Sequence, residues 1–166
     1  MNDINTEKIL SDNSIDYLLV NATNKYLTEY PELSENARYT LTGFSGSTGD
    51  ALVTKNGIYL FVDGRYHIQA DKEVKDGITV VKLQIGQKQD EEIKKIISED
   101  FSESKIIGIV ATKVSQARLE SFKNFNVKLL DTDAINNYTA THYTGYEKAF
   151  DAINYEHESY FVSDLE

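Results

Sequence analysis

Apolar positions along this chain alternate between short, unbroken or every-other-residue runs and a spacing of three to four. Ile9 and Leu10 belong to a short opening helix. The turn-prone Ser11-Asp12-Asn13-Ser14 follows, and Ile15 to Val20 reads as a buried strand. Tyr30-Pro31 breaks the chain, and Ser34 is placed to cap a short helix through Ala37, Tyr39 and Thr40. Ala51 to Thr54 and Ile58 to Val62 flank Asn56-Gly57. Both turn residues tolerate positive φ, which predicts an antiparallel hairpin across 50–63 with a type I′ turn. Asp63 closes the second strand and can cap a helix starting near Gly64 or Arg65. That helix runs to Val74 with Tyr66, Ala70 and Val74 on one face.

The same alternation continues downstream. Ile78 to Leu83 reads as a strand. Asp90 opens a helix with Ile93, Ile96 and Ile97 inward and a Glu91–Lys95 pair outward. Ile106 to Val110 is a strand, Ser115 caps a helix carrying Leu119, Phe122 and Phe125, and Val127 to Leu130 is another strand. Helices separate these later strands, which therefore pair in parallel or mixed fashion. The predicted fold class is α/β: a mixed sheet flanked by helices, with one antiparallel hairpin. Residues 131–144 are polar and aperiodic and read as a linker. Beyond them Tyr146, Ala149, Phe150 and Ile153 mark an amphipathic helix, and Tyr160-Phe161-Val162 a strand. This ending echoes the opening helix–strand unit, as any two such units do or as a repeated domain start would.

Composition narrows the function classes. The 166 residues contain 27 acidic and 17 basic side chains, a formal charge of −10, and are 40% apolar. That supports one folded domain with a real core. It argues against binding nucleic acid or an anionic membrane, both of which need a basic surface. There is no Cys, which removes disulfides, thiolate metal sites and a thiol nucleophile. Met1 to Leu10 lacks the apolar run of a signal peptide, and no window reaches the roughly 18 apolar residues of a membrane span. The expectation is a soluble cytoplasmic protein.

Candidate chemistry is sparse. Gly43-Phe44-Ser45-Gly46-Ser47-Thr48-Gly49 lacks the spacing and the Lys of a phosphate loop. It is followed by Asp50 and leads into a strand, so it reads as a conformational loop. Asp63-Gly64-Arg65 is either an acid with an anion clamp or, as favoured here, a structural ion pair. His67, His142 and His157 show no metal-ligand spacing. Ser45 and Ser47 lack the G-x-S-x-G context of a nucleophile. The 11 tyrosines do not alternate with basic residues and suit half-buried packing.

Three stretches together resemble a known family: Tyr26-Leu-Thr-Glu-Tyr30, Arg38-Tyr-Thr-Leu-Thr-Gly-Phe-Ser-Gly-Ser47, and, after the hairpin, Val62-Asp-Gly-Arg-Tyr-His-Ile-Gln-Ala70. They are similar to the creatinase-like N-terminal domain of aminopeptidase P, a relative of prolidase. The tail from Tyr143 resembles the start of a second such domain. The resemblance implies three segments: 1–135 as the creatinase-like N-terminal domain, 136–144 as a linker, and 145–166 as the truncated start of a second creatinase-like domain. It implies a parent Xaa-Pro metallo-aminopeptidase, cytoplasmic and homodimeric. The parent would cleave the bond before proline in proline-containing peptides, using two divalent ions, manganese in most members. Those ions belong to a catalytic domain this chain lacks, so no catalytic and no metal residue is carried over. The implied role is accessory: packing against the protein's own second and catalytic domains, shaping substrate access and assembly. Phe44, Ser45, Gly46, Ser47 and Thr48 are then expected on a loop facing the cleft or an interface, with Phe44 either on that face or plugging the local core. Asp63, Gly64, Arg65 and Tyr66 are expected to be structural, with Arg65 paired to Asp63 or to another carboxylate near the sheet edge. The competing readings are the corresponding domain of a prolidase or other superfamily member, and a peptidase-like interaction module without catalysis.

Overall fold

A computed structural model describes residues 4–99 and 104–142, the side chains of 140–142 excepted. Its elements run α1 (Thr6–Asp12), β1 (Tyr17–Val20), α2 (Ala37–Thr42), β2 (Ala51–Thr54), β3 (Gly57–Val62), α3 (His67–Glu73), β4 (Ile78–Lys82), α4 (Gln89–Glu99), β5 (Ile106–Val110), α5 (Gln116–Ser121), β6 (Asn126–Leu130) and α6 (Ala134–His142). The six strands form one sheet in the order β4-β3-β2-β1-β5-β6. β2 pairs antiparallel with both β1 and β3, whereas β3–β4, β1–β5 and β5–β6 are parallel. Five strands therefore point one way and β2 alone points back, a mixed sheet as the alternation predicts.

Alternation along the strands divides the core into two layers. Leu18, Val20, Ala51, Val53, Leu60 and Val62 face Ile9, Leu41, Phe44 and Ala70 on one side. Their neighbours Tyr17, Leu19, Leu52 and Phe61 face Ile93, Ile97 and Phe122 on the other. Helices thus cover both faces, which is why β1, β2 and most of β5 are buried at consecutive positions.

Several local expectations change. The hairpin loop is Lys55-Asn56, since Thr54 pairs with Gly57. Neither loop residue has positive φ; Gly57 carries it at +144°, so the turn is not type I′. The Thr54 hydroxyl causes this by accepting from the Asn56 N–H and donating to the Gly57 carbonyl. Asn36, not Ser34, caps α2, its side chain accepting from the Tyr39 N–H at 3.0 Å. Asp63 caps no helix: α3 starts at His67, behind Tyr66. On α4 the ion pairs are Glu91–Lys94 and Glu92–Lys95, one residue closer than expected. Within the stretch read as a linker, residues 134–142 are helical. Asp133 caps that helix by accepting from the Ile135 and Asn136 N–H groups, and Ala134 and Ile135 are buried. The helix–strand pattern after residue 144 lies outside the described residues.

Candidate functional site

The two separated motifs close on one another. α2 ends at Gly43, whose φ of +79° turns the chain back over the helix. Phe44 then enters the core with 0% of its surface exposed. The cleft-facing position offered for this ring is corrected: it plugs the core, because two partners roof it. One is Arg38, fully buried, with its guanidinium 4.8 Å from the ring centroid. The other is Tyr66, edge-on to Phe44 at 5.7 Å and 84°. Gly46 completes the roof. A Cβ there would lie 2.3 Å from the Phe44 ring and 2.9 Å from the Tyr66 ring, so only glycine passes.

Polar groups fasten the outer side. Arg38 donates to the carbonyls of Gly46 (2.5 Å) and Thr48 (3.1 Å). The Ser47 and Tyr66 hydroxyls meet at 2.7 Å, and the Thr48 hydroxyl donates to Asp63 at 3.2 Å. Glu73 on α3 accepts from the Ser45 N–H and hydroxyl at 2.8 and 2.9 Å. Ser45 is the exposed residue of the loop, Ser47 and Thr48 are half-exposed, and Gly46 is buried. Of the carboxylates open to it, Arg65 pairs with Asp63, at 2.8 Å, with Gly64 exposed between them.

The electrostatics follow from these partners. Hydrogen bonding from Arg65 holds the Asp63 carboxyl down at about 2, and Asp63 in turn raises Arg65. Burial lowers Arg38 to about 10, which leaves it charged at neutral pH above the Phe44 ring. For Glu73, burial works upward, but the Ser45 and Gln69 donors and the Arg38 charge outweigh it, and the net shift is downward. A carboxyl depressed by folding contributes stability that is complete above its unfolded pKa and fades as pH falls through its folded one. The Arg65→Ala variant should therefore show a small, salt-sensitive loss of Tm at pH 7, because the pair is exposed. The gap from wild type should narrow between about pH 4 and about pH 2, where Asp63 takes up its proton in the folded state. Thermal melts across that range check this.

A second cluster, which the sequence reading missed, lies at the end of the sheet where the five co-directional strands finish. Asn21 follows β1, and Asp50 precedes the reversed β2, so both arrive at this edge. The Arg118 guanidinium sits between them. It donates to Asp50 at 2.5 Å, to Asn21 at 3.1 Å and to both Asp90 oxygens. Asp50 also accepts from Gln89 at 2.9 Å and from the Ala22 N–H at 2.8 Å. Burial alone would lower the Arg118 pKa, but Asp50 and Asp90 raise it on balance. Next to it, Lys113 pairs with Asp133 at 2.6 Å and donates to the Glu35 carbonyl, while the Lys113 carbonyl accepts from the Asn21 amide. The carboxyl ends of parallel strands are where α/β folds place ligands. Here the protein's own ion pairs occupy that edge. Among the described residues no three His, Cys, Asp or Glu side chains converge as metal ligands, and no helix is long and apolar enough to cross a membrane. His67 instead points Nε2 at the Leu83 carbonyl, 3.2 Å away.

Comparison with known proteins adds to this geometry. The sequence model of the Creatinase/Prolidase N-terminal domain matches residues 5–138. Aminopeptidase P1 of Arabidopsis thaliana is 30% identical over 122 residues, which cover 71% of this chain and 18% of that protein. A probable Xaa-Pro aminopeptidase P of Coprinopsis cinerea is 32% identical over 75 residues, covering 45% of this chain and 12% of that protein. The chain thus spans less than a fifth of the length of these curated relatives. The same fold occurs in X-prolyl aminopeptidase from Caenorhabditis elegans, described as a cytosolic enzyme with a di-nuclear active site. That match has a TM-score of 0.66 at 21% identity and covers 74% of this chain and 21% of that one. It occurs again in a Xaa-Pro aminopeptidase structure from Streptococcus thermophilus, with a TM-score of 0.61 at 23% identity, covering 80% of this chain and 91% of that one.

Proposed function

Because this chain belongs to the Creatinase/Prolidase N-terminal domain family, we propose that it is the accessory first domain of a Xaa-Pro metallo-aminopeptidase. In this reading it shapes access to a catalytic part carried elsewhere in the parent and contributes to its assembly. The observation that carries the reading is the family match over residues 5–138, with curated aminopeptidase P relatives behind it. Local chemistry supports it: the acidic groups of both clusters are engaged in fastening loops, Asp63 and Glu73 at one, Asp50, Asp90 and Asp133 at the other. The described residues do not fit a metal centre, so no hydrolytic step is routed through them. The divalent ions, manganese by family resemblance, are assigned to the parent's catalytic part.

Two measurements test the reading. The 166-residue chain, given a Xaa-Pro-Yaa tripeptide and manganese, should release no N-terminal amino acid, whereas the parent should. Release by the chain alone would overturn the accessory role, and a silent parent would overturn the peptidase assignment. We place the outer side of the fastened loop, Ser45, Ser47 and Thr48 with Arg65, toward the cleft or an interface. In the parent, a Thr48→Ala/Arg65→Ala pair should then change KM or peptide-length preference more than kcat. Kinetics identical to wild type would count against that placement.

A further inference from the structure

Most large apolar side chains among the described residues are buried or half-buried; Ile68, Ile85 and Leu129 stand exposed singly, and four more exposed ones fall in one short segment. Tyr26 and Tyr30 are 70% and 75% exposed, and Leu27 and Leu33 each 46%. Exposed apolar residues scattered singly are ordinary, but four within eight positions of one loop are a concentration. The segment is also fixed. Asn24, buried at its base, accepts from the Tyr26 and Thr28 N–H groups at 3.0 and 3.3 Å and donates to Glu35 at 2.8 Å. Lys113 holds the Glu35 carbonyl from beneath. Within this frame Leu27 adopts φ of +57°, a left-handed conformation that is strained for a non-glycine residue. A strained, pinned loop that keeps its largest apolar side chains in water is built for contact.

Charge decides what it contacts. Glu29 and Glu32 are exposed among these side chains, and the chain as a whole carries −10. A second copy would bring like charge to like charge, whereas a cationic partner is drawn in. The loop already shows how it receives a cation: the Lys25 ammonium lies 5.0 Å from the Tyr26 ring centroid. We propose that the Tyr26–Leu33 loop is a docking surface for a segment of another protein that presents Leu or Trp side chains interleaved with Arg or Lys. Its apolar groups would cover Leu27 and Leu33, and its cations would meet Glu29, Glu32 and the two tyrosine faces.

The test uses the 166-residue chain, isotopically labelled, and two synthetic 12-residue peptides. The first carries Leu and Trp among Arg; the second has Glu at each Arg position. Amide shifts on titration should map to residues 23–36, and the Arg peptide should bind at least about tenfold more tightly than its Glu twin. The Tyr26→Ser/Tyr30→Ser double variant should keep the wild-type Tm, since both rings are exposed, and should weaken binding about tenfold. Shifts scattered over the acidic surface and indifferent to the tyrosines would overturn the proposal. So would equal affinity for the two peptides, no binding of the Arg peptide at millimolar concentration, or concentration-dependent self-association through the same residues.

Discussion

Replacing Phe44 by Ala should destabilise the domain by about 3–5 kcal/mol, the cost of deleting a buried aromatic ring whose surroundings cannot collapse. In a chain of this size that is a fall in Tm of roughly 6–20 °C. Collapse is blocked on three sides. Arg38 loses the ring face under its guanidinium and stays buried with fewer compensating contacts. Tyr66 loses its edge-on partner, and Gly46 has no side chain to fill the space. A surface aromatic at this position would change stability by no more than about 0.5 kcal/mol. Chemical denaturation of the variant therefore separates a core plug from a cleft-facing residue without any enzymatic assay. Phe44→Leu, which keeps most of the volume, should recover more than half of the loss.

Replacing Arg118 by Met should cost a similar amount, about 3–5 kcal/mol, for a different reason. The substitution preserves side-chain bulk and removes only the cation. Asp50 is left buried and Asp90 half-buried at the same sheet edge, facing each other's charge with no counter-ion between them. The sign is checked by a rescue. Adding Asp50→Asn and Asp90→Asn to Arg118→Met removes the stranded charges, and the triple variant should be more stable than Arg118→Met alone. Arg118→Lys should fall in between, because an ammonium keeps the charge but cannot fork across Asp50, Asn21 and Asp90 at once. Denaturant midpoints of the four proteins decide the matter. Additive losses in the triple variant would mean that the cluster is a set of independent hydrogen bonds.

The strands were readable because each carries its own signal: a short apolar run or alternation between turn residues, bounded within one or two positions of where the ladder ends. The direction of the later strands followed from the helices between them. What escaped the reading depends on partners distant in the chain. Phe44, set between two glycines, has the local look of a loop tip; its burial is imposed by Arg38 before it and Tyr66 well after it. The family resemblance paired these motifs but said nothing of their contact. The edge cluster was harder still, since positions 21, 50, 90 and 118 share no spacing that any periodic pattern could mark. The one available hint is that Asn21 and Asp50 are polar residues abutting the apolar runs Leu18 to Val20 and Ala51 to Val53. α6 was missed because it shows few apolar positions; its cap, Asp133, is what defines it.

The reversed strand in the sheet has a consequence for synthesis. β2 and β3 are sequence neighbours and β1 precedes them by thirty residues, so β1 through β4 can pair as soon as residue 82 is available. The other flank of β1 pairs only with β5, Tyr17 waiting for Ile107. As the nascent chain emerges, the wholly buried strand β1 is thus left with one bare hydrogen-bonding flank until α4 and β5 have emerged as well. That interval exposes an unprotected edge at which half-made chains can stick to one another. A nascent chain exposed only as far as residues 83 to 105 is at its most aggregation-prone stage.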